Sequence, residues 1–237
     1  MFTKKEKFSI LGDSLSTFEG VSEPFDACFY IGGMKFESGI VAPSDTWWGQ
    51  VIEHLSGELL VNNSISGSTV FKHPKYEVAS YGCSDERTSS LGREGETPDV
   101  IMVSMGTNDW GYGITVRHDG DRSSVPIFYS AYNKMIRKLK KNYSAAEIWC
   151  VTPFVGTCKR KDGYIFPYTF GGRHIKEYCD VICEIAEENG CIPINLYNCP
   201  YEIDTVDGFH ANREGMRVIA EYVVTELARK RATKNGR

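Results

Sequence analysis

Asp99-Val-Ile-Met-Val-Ser-Met105, running straight into Gly106-Thr107-Asn108-Asp109, is the segment on which the fold turns. Its apolar residues occupy both faces of an extended chain, as they do in a strand at the centre of a parallel sheet with helices above and below. Shorter apolar runs on either side fit neighbouring strands: Lys7–Leu11, Leu59–Asn62, Glu147–Thr152 (stopped by Pro153) and Cys191–Leu196.

Between these runs the spacing becomes helical. Trp47, Val51 and Leu55 mark a helix over Thr46–Leu55, with Ser44 or Asp45 placed to cap it. Phe128–Asn142 reads as a helix whose last turns carry Lys and Arg, where cations suit the macrodipole. Gly172–Asn189 is a helix ended by Gly190, and a last amphipathic helix runs from about Asn212 to Arg229, ahead of a polar tail from about residue 230. Strands alternating with helices predict an α/β fold with a mostly parallel five-stranded sheet covered on both faces. With no internal repeat or linker, residues 1–237 read as one domain. Two long connections, 16–43 and 64–98, stand out as functional loops.

In open parallel sheets the ligand crevice lies beyond the carboxyl ends of the strands, so chemistry is sought there. After the first strand stands Gly12-Asp13-Ser14-Leu15, where a serine at a tight corner can project its hydroxyl. After the second comes Asn63-Ser64-Ile65-Ser66-Gly67-Ser68, and after the third Gly106-Thr107-Asn108-Asp109. Ahead of the last helix is Asp207-Gly208-Phe209-His210. Taken singly, each reads as well as a capped turn or a flexible loop. Together they supply a nucleophile, a base, a group to orient it and oxyanion donors, each once, at the ends of different strands. Acyl transfer needs that whole set, because a serine hydroxyl attacks poorly until a base takes its proton.

These blocks resemble those of the SGNH hydrolases, the GDSL esterase/lipase superfamily. Ser14 stands in the GDSL block, Gly67 in the second block, Asn108 in the GTND block, and Asp207 with His210 in the DxxH block. The resemblance spans about residues 7 to 228 and implies a three-layer α/β/α fold with a flavodoxin-like sheet. It also implies ester hydrolysis without a metal or organic cofactor. Ser14 is then the nucleophile, His210 the base and Asp207 its orienter. The backbone N–H groups of Ser14 and Gly67 and the side chain of Asn108 hold the oxyanion. Asp204, six residues before His210, is at the wrong spacing for the orienter.

Several residues beside these blocks are candidates for substrate contact. Trp110 and Tyr112 follow the Asn block and are expected to rim the crevice. Trp47 or Trp48 is expected in the core, with a pocket wall as the alternative. Arg87 could reach a polar substrate group from its loop, or remain a solvated loop arginine. His54, His73, His118 and His174 have no named partner and read as surface or structural.

Composition narrows the remaining classes. The chain is 41% hydrophobic and 24% charged, which excludes a disordered protein, and its net charge of −4 gives no footprint for nucleic acid or an anionic membrane. No apolar run approaches the ~18 residues of a spanning helix. The apolar run after the N-terminal charges is too short for a signal sequence, which makes the cytoplasm the expected address. The eight cysteines then read as free thiols packed as small hydrophobes, and their spacing lacks the pairing of a zinc site. The mixed character of residues 16–43 points to a short acyl group, such as acetyl, on a carbohydrate or other polar alcohol. A lysophospholipase or thioesterase is the alternative, as is a glycan-binding module without turnover.

Overall fold

Val100–Ser104, buried at all five positions, forms the middle strand β3 of a five-stranded parallel sheet. The computed structural model describes residues 5–22, 27–72, 81–117 and 127–235, with side chains described as far as residue 232. Strand β1 is Lys7–Gly12, β2 Glu58–Ser64, β4 Glu147–Val151 and β6 Ile192–Ile194. Their order is β2-β1-β3-β4-β6, and every neighbouring pair is parallel. The order reverses direction between β1 and β3, which is where an open α/β sheet makes its crevice.

Register brings the strand ends level. Gly12 lies opposite both Ser64 and Ser104, Ser104 opposite Val151, and Val151 opposite Ile194. The segments that leave these five residues therefore emerge along one edge.

The double-sided apolar pattern feeds two cores. Phe8, Ile10, Val100, Met102 and Trp149 point to one face, against α2 (Trp47–His54) and α7 (Arg213–Asn235). Leu11, Ile101, Val103, Ile148 and Cys150 point to the other, against α5 (Phe128–Asn142) and α6 (Ile175–Glu188). The fold is thus the expected layered α/β/α arrangement. A second, two-stranded parallel sheet pairs β5 (Gly156–Thr157) with β7 (Ile203–Asp204), which the sequence pattern did not anticipate.

Several boundaries differ from the sequence reading, each for a local reason. Helix α2 is capped by Thr46, whose Oγ1 accepts the Gly49 N–H at 3.1 Å. Asp45 instead accepts the Val41 and Ala42 N–H groups and pairs with Arg213. Helix α6 starts at Ile175 because His174 caps it through Nδ1. Helix α7 runs past Arg229 into the expected polar tail, where Arg231 reaches Glu147 at 2.8 Å and covers the Trp149 ring. The long connections also carry short helices, α1 (Gly33–Ser38) in the first and α3 (Asp85–Ser89) in the second.

All eight cysteines are unpaired, five of them buried. Among the described residues, no helix is long and apolar enough to cross a membrane.

Candidate active site

Ser14 opens a short 3-10 turn, Ser14–Ser16, two residues beyond the end of β1. Asp13 fixes the corner: its N–H donates to the Ser104 carbonyl at 3.2 Å, and its Oδ1 accepts the Leu15 N–H at 3.2 Å. Gly12 is needed here for space. A Cβ at that position would lie 2.6 Å from Ser64 Oγ and 2.8 Å from Ser16 Cβ. From beneath, Trp47 Nε1 donates to Ser16 Oγ at 3.1 Å, while Trp48 Nε1 and Asn62 Nδ2 both donate to the Ser16 carbonyl.

His210 arrives from the loop between β7 and α7. Its Nε2 lies 2.8 Å from Ser14 Oγ, and its Nδ1 lies 2.7 Å from Asp207 Oδ2. Asp207 Oδ1 accepts the N–H groups of Phe209 and His210, both at 2.8 Å, so the carboxylate shapes the loop that presents the imidazole. Partial burial pushes the Asp207 carboxyl up. The His210 ring and these two N–H groups outweigh that push and hold it at about 2. Phe29 lies flat against the other side of the imidazole, with centroids 3.5 Å apart and planes 8° from parallel.

Across the crevice, β3 runs into α4 (Thr107–Gly111), which carries Asn108. Asn108 Nδ2 donates to the Ser68 carbonyl at 2.9 Å. Gly67, one residue earlier, takes φ +75, a backbone conformation for which glycine alone has no steric cost. Ser14, Gly67, Asn108 and His210 all line one cavity of about 390 Å³. The structure therefore brings Ser14, Gly67, Asn108 and His210 to one cavity, with Asp207 behind the imidazole.

The same cavity is walled by Leu15, Trp110, Tyr112, Phe154, Phe170 and Phe209. Of the two aromatics expected at the rim, Tyr112 is half-exposed and Trp110 is buried, and both line the cavity. Trp110 also ties α4 to a neighbouring loop, since its Nε1 donates to the carbonyls of Tyr168 and Arg173. Leu15, Phe154, Phe170 and Phe209 were missed. Three of them could have been found, because Leu15 directly follows Ser14, Phe154 closely follows the end of β4 and Phe209 stands inside the DxxH block.

Two candidate substrate contacts, Trp47 in its alternative role as a pocket wall and Arg87, are corrected. Trp47 is fully buried in the core and does not line the cavity, because its indole N–H is spent on Ser16. Arg87 neither lines the cavity nor sits in solvent. It is 2% exposed, on α3, and its guanidinium donates to the Gly12 carbonyl, to Asn63 Oδ1 and its carbonyl, and to Ser68 Oγ. Burial pushes this guanidinium down to about 10, with the Asp13 charge opposing. Asp204 holds Asn212 and the Lys159 N–H, away from His210. His54 is exposed on α2 and His174 caps α6, while His73 and His118 lie outside the described residues.

Two further carboxyls are buried beside the site. Burial pushes Asp13 up to about 6, against the Leu15 N–H and the charges of His210 and Arg87. Burial likewise pushes Asp109 up to about 7, although it accepts the N–H groups of Val70 and Phe71. Among the described residues, no group of three His, Cys, Asp or Glu side chains could hold a metal ion.

A family model described as GDSL-like lipase/acylhydrolase matches residues 6–154. That span includes Ser14, Gly67 and Asn108 and ends before Asp207 and His210. A crystal structure from Bacteroides uniformis ATCC 8492, described as a GDSL-like lipase, is 31% identical with a TM-score of 0.70, covering 96% of this chain and 97% of that one. A second, from Bacteroides ovatus ATCC 8483, is 23% identical with a TM-score of 0.71, covering 96% and 100%. A carbohydrate esterase family 2 enzyme with a carbohydrate binding domain, from Corynascus thermopiles (Myceliophthora fergusii), shares the fold at 16% identity and a TM-score of 0.57, covering 94% and 67%. No curated protein matches the chain.

Proposed function

The chain belongs to the GDSL-like lipase/acylhydrolase family of ester-hydrolysing enzymes, and on that premise we propose that it is a serine esterase removing short acyl groups, acetyl above all, from a carbohydrate or other polar alcohol. One observation carries the proposal: Ser14 Oγ, His210 and Asp207 stand in line at 2.8 and 2.7 Å on the wall of an aromatic cavity.

The roles follow from this geometry. Ser14 Oγ attacks the ester carbonyl carbon as His210 Nε2 takes its proton, and Asp207 keeps Nδ1 protonated and steadies the imidazolium. The oxyanion forms among the N–H groups of Ser14 and Gly67 and the Asn108 amide. In the resting enzyme that amide donates to the Ser68 carbonyl. When the carbonyl re-forms, the bond to the alcohol breaks and His210 returns the proton to the leaving oxygen. Water then attacks the acyl-serine, giving its proton to His210, and the serine is restored as the acid leaves. Side chains and backbone of this chain handle every proton and electron pair in the proposal.

For the alcohol, support comes from the rim, where Tyr112 and Phe170 present half-exposed faces suited to a sugar ring. The carbohydrate esterase relative points the same way. Neither nucleic acid nor a membrane has a place in this reading.

The test pairs stoichiometric labelling of Ser14 by a fluorophosphonate with a panel of p-nitrophenyl esters of rising chain length and acetylated sugars. Labelling, with fastest turnover on acetyl esters and release of acetate from the sugars, is the expected result. Turnover that climbs with chain length replaces this reading with a lysophospholipase or thioesterase. Neither labelling nor hydrolysis leaves a glycan-binding module.

A further inference from the structure

The ring stacked on the His210 imidazole belongs to none of the four blocks. Phe29 comes from the first long connection and is not among the residues lining the cavity; its ring meets the site at the histidine. Its ring is nearly parallel to the imidazole, 3.5 Å away at the centroids. The backbone around it is fastened to both partners of the proposed proton transfer. The Phe29 N–H donates to Thr17 Oγ1 at 2.9 Å, and that hydroxyl donates to the carbonyl of Ser14 itself at 2.8 Å. On the other flank Phe29 meets Tyr30 edge to face, and the Tyr30 hydroxyl donates to the carbonyl of Ala211 at 2.8 Å. The Phe29-Tyr30 pair is thereby tied to the serine at one end and to the residue after the histidine at the other.

An aromatic face is the negative side of the ring quadrupole and attracts a cation stacked upon it. A neutral imidazole gains little from that field, whereas an imidazolium gains more. The geometry points to Phe29 as a positioning residue: its face fixes the plane of the His210 ring between Ser14 and Asp207, and it stabilises the imidazolium formed when the serine gives up its proton. This rests on the reading of His210 as the general base. Among the described residues, Asp207 on its own loop and Asp13 at the corner after β1 are the carboxyls acting on the ring, and the Tyr30 phenol behind Phe29 is held by the Ala211 carbonyl. None of them is altered in the variants below.

The experiment is an NMR titration of the His210 ring in the intact protein and in Phe29→Leu, Phe29→Met and Phe29→Tyr, each checked for folding by circular dichroism. Leu and Met keep the site apolar and remove the π face, with Met the adaptable filler if Leu packs badly. The expected result is a His210 midpoint lower by about half a unit to one unit in the Leu and Met variants, with Tyr closer to the parent. On p-nitrophenyl acetate, kcat falls about three- to tenfold in Phe29→Leu with KM little moved. The acid limb of kcat/KM shifts to lower pH by the same amount as the ring midpoint.

A midpoint unmoved in both aliphatic variants overturns the inference, and so does a Tyr variant displaced as far as they are. The ring titration needs no substrate. A parent protein that cleaves no ester therefore ends the assignment of His210 as base, while the titration still decides what Phe29 does to the imidazole.

Discussion

Arg87 Nη1 donates to Ser68 Oγ at 2.6 Å, and the carbonyl of the same serine receives the Asn108 amide at 2.9 Å. One residue thus separates a buried cation from the side chain proposed to meet the oxyanion. The guanidinium also holds the Gly12 carbonyl, so it joins the Ser14 corner to the loop bearing Gly67.

Replacing Arg87 with Met removes the buried donor to Asn63 Oδ1, to the Asn63 and Gly12 carbonyls and to the Ser68 hydroxyl, of which the Gly12 carbonyl keeps the Ile65 N–H. We expect a loss of at least about 3 kcal/mol in urea unfolding, since each abandoned acceptor costs about 1–3 kcal/mol. Arg87→Lys should recover part of the stability and little of the fork geometry. In whatever fraction folds, kcat should fall more than KM rises. Wild-type stability in Arg87→Met contradicts the assigned role.

Ser14→Ala should abolish fluorophosphonate labelling and burst-phase acyl-enzyme. Asn108→Ala should still label while losing about 10²–10³ in kcat, the effect of one missing oxyanion donor. Turnover of p-nitrophenyl acetate at near-parent rates in either variant removes that residue from the mechanism.

Asp207→Asn should lower kcat by less than Ser14→Ala does, because the amide oxygen can still accept from His210 Nδ1 or from the loop N–H groups. A second signature lies in acid. The folded carboxyl sits at about 2, below its unfolded value, so its stabilisation is present above about pH 4 and lost as pH falls through about 2. Melting temperature between pH 4 and pH 2 should therefore drop less steeply in the variant. Parallel curves exclude this coupling.

Asp109 has the opposite sign. Its folded pKa is raised to about 7, so the native state keeps its proton where the unfolded chain has lost it. Stability from this group is greatest below about pH 4 and declines as pH rises to about 7, by at most about 1.4 kcal/mol per unit. Asp109→Asn should flatten the decline in melting temperature between pH 4.5 and 8. A decline as steep as the parent's places its origin in other groups, Asp13 first among them.

Much of this architecture is legible in the sequence because it depends on local pattern. The two-faced run ending at Ser104 could be little else than a central strand, and Ser14 and Asn108 each follow a strand whose end the register brings level, whereas His210 follows β7 of the separate two-stranded sheet. What escaped depends on contacts distant in sequence. Arg87 looks like a loop arginine until one sees that Gly12, 75 residues away, needs its donor. Phe29 sits in a connection without periodicity, and its partner is far along the chain. Trp47 shows helical spacing and is buried as that spacing suggests, but nothing local reveals that its N–H serves Ser16, 31 residues earlier. The short helices α1, α3 and α4 have five or six residues each, too few for an apolar repeat to declare itself.

The separation of 196 positions between Ser14 and His210 has a consequence for the birth of the molecule. On a ribosome adding about 5–20 residues per second, the serine waits about ten to forty seconds for its histidine to be made. Throughout that interval it is an ordinary alcohol, indifferent to cellular esters and to phosphonate poisons alike. On the proposed mechanism, reactivity is switched on only when the closing segment docks, so a nascent or truncated chain stays chemically silent, and labelling by a serine poison becomes a census of finished molecules.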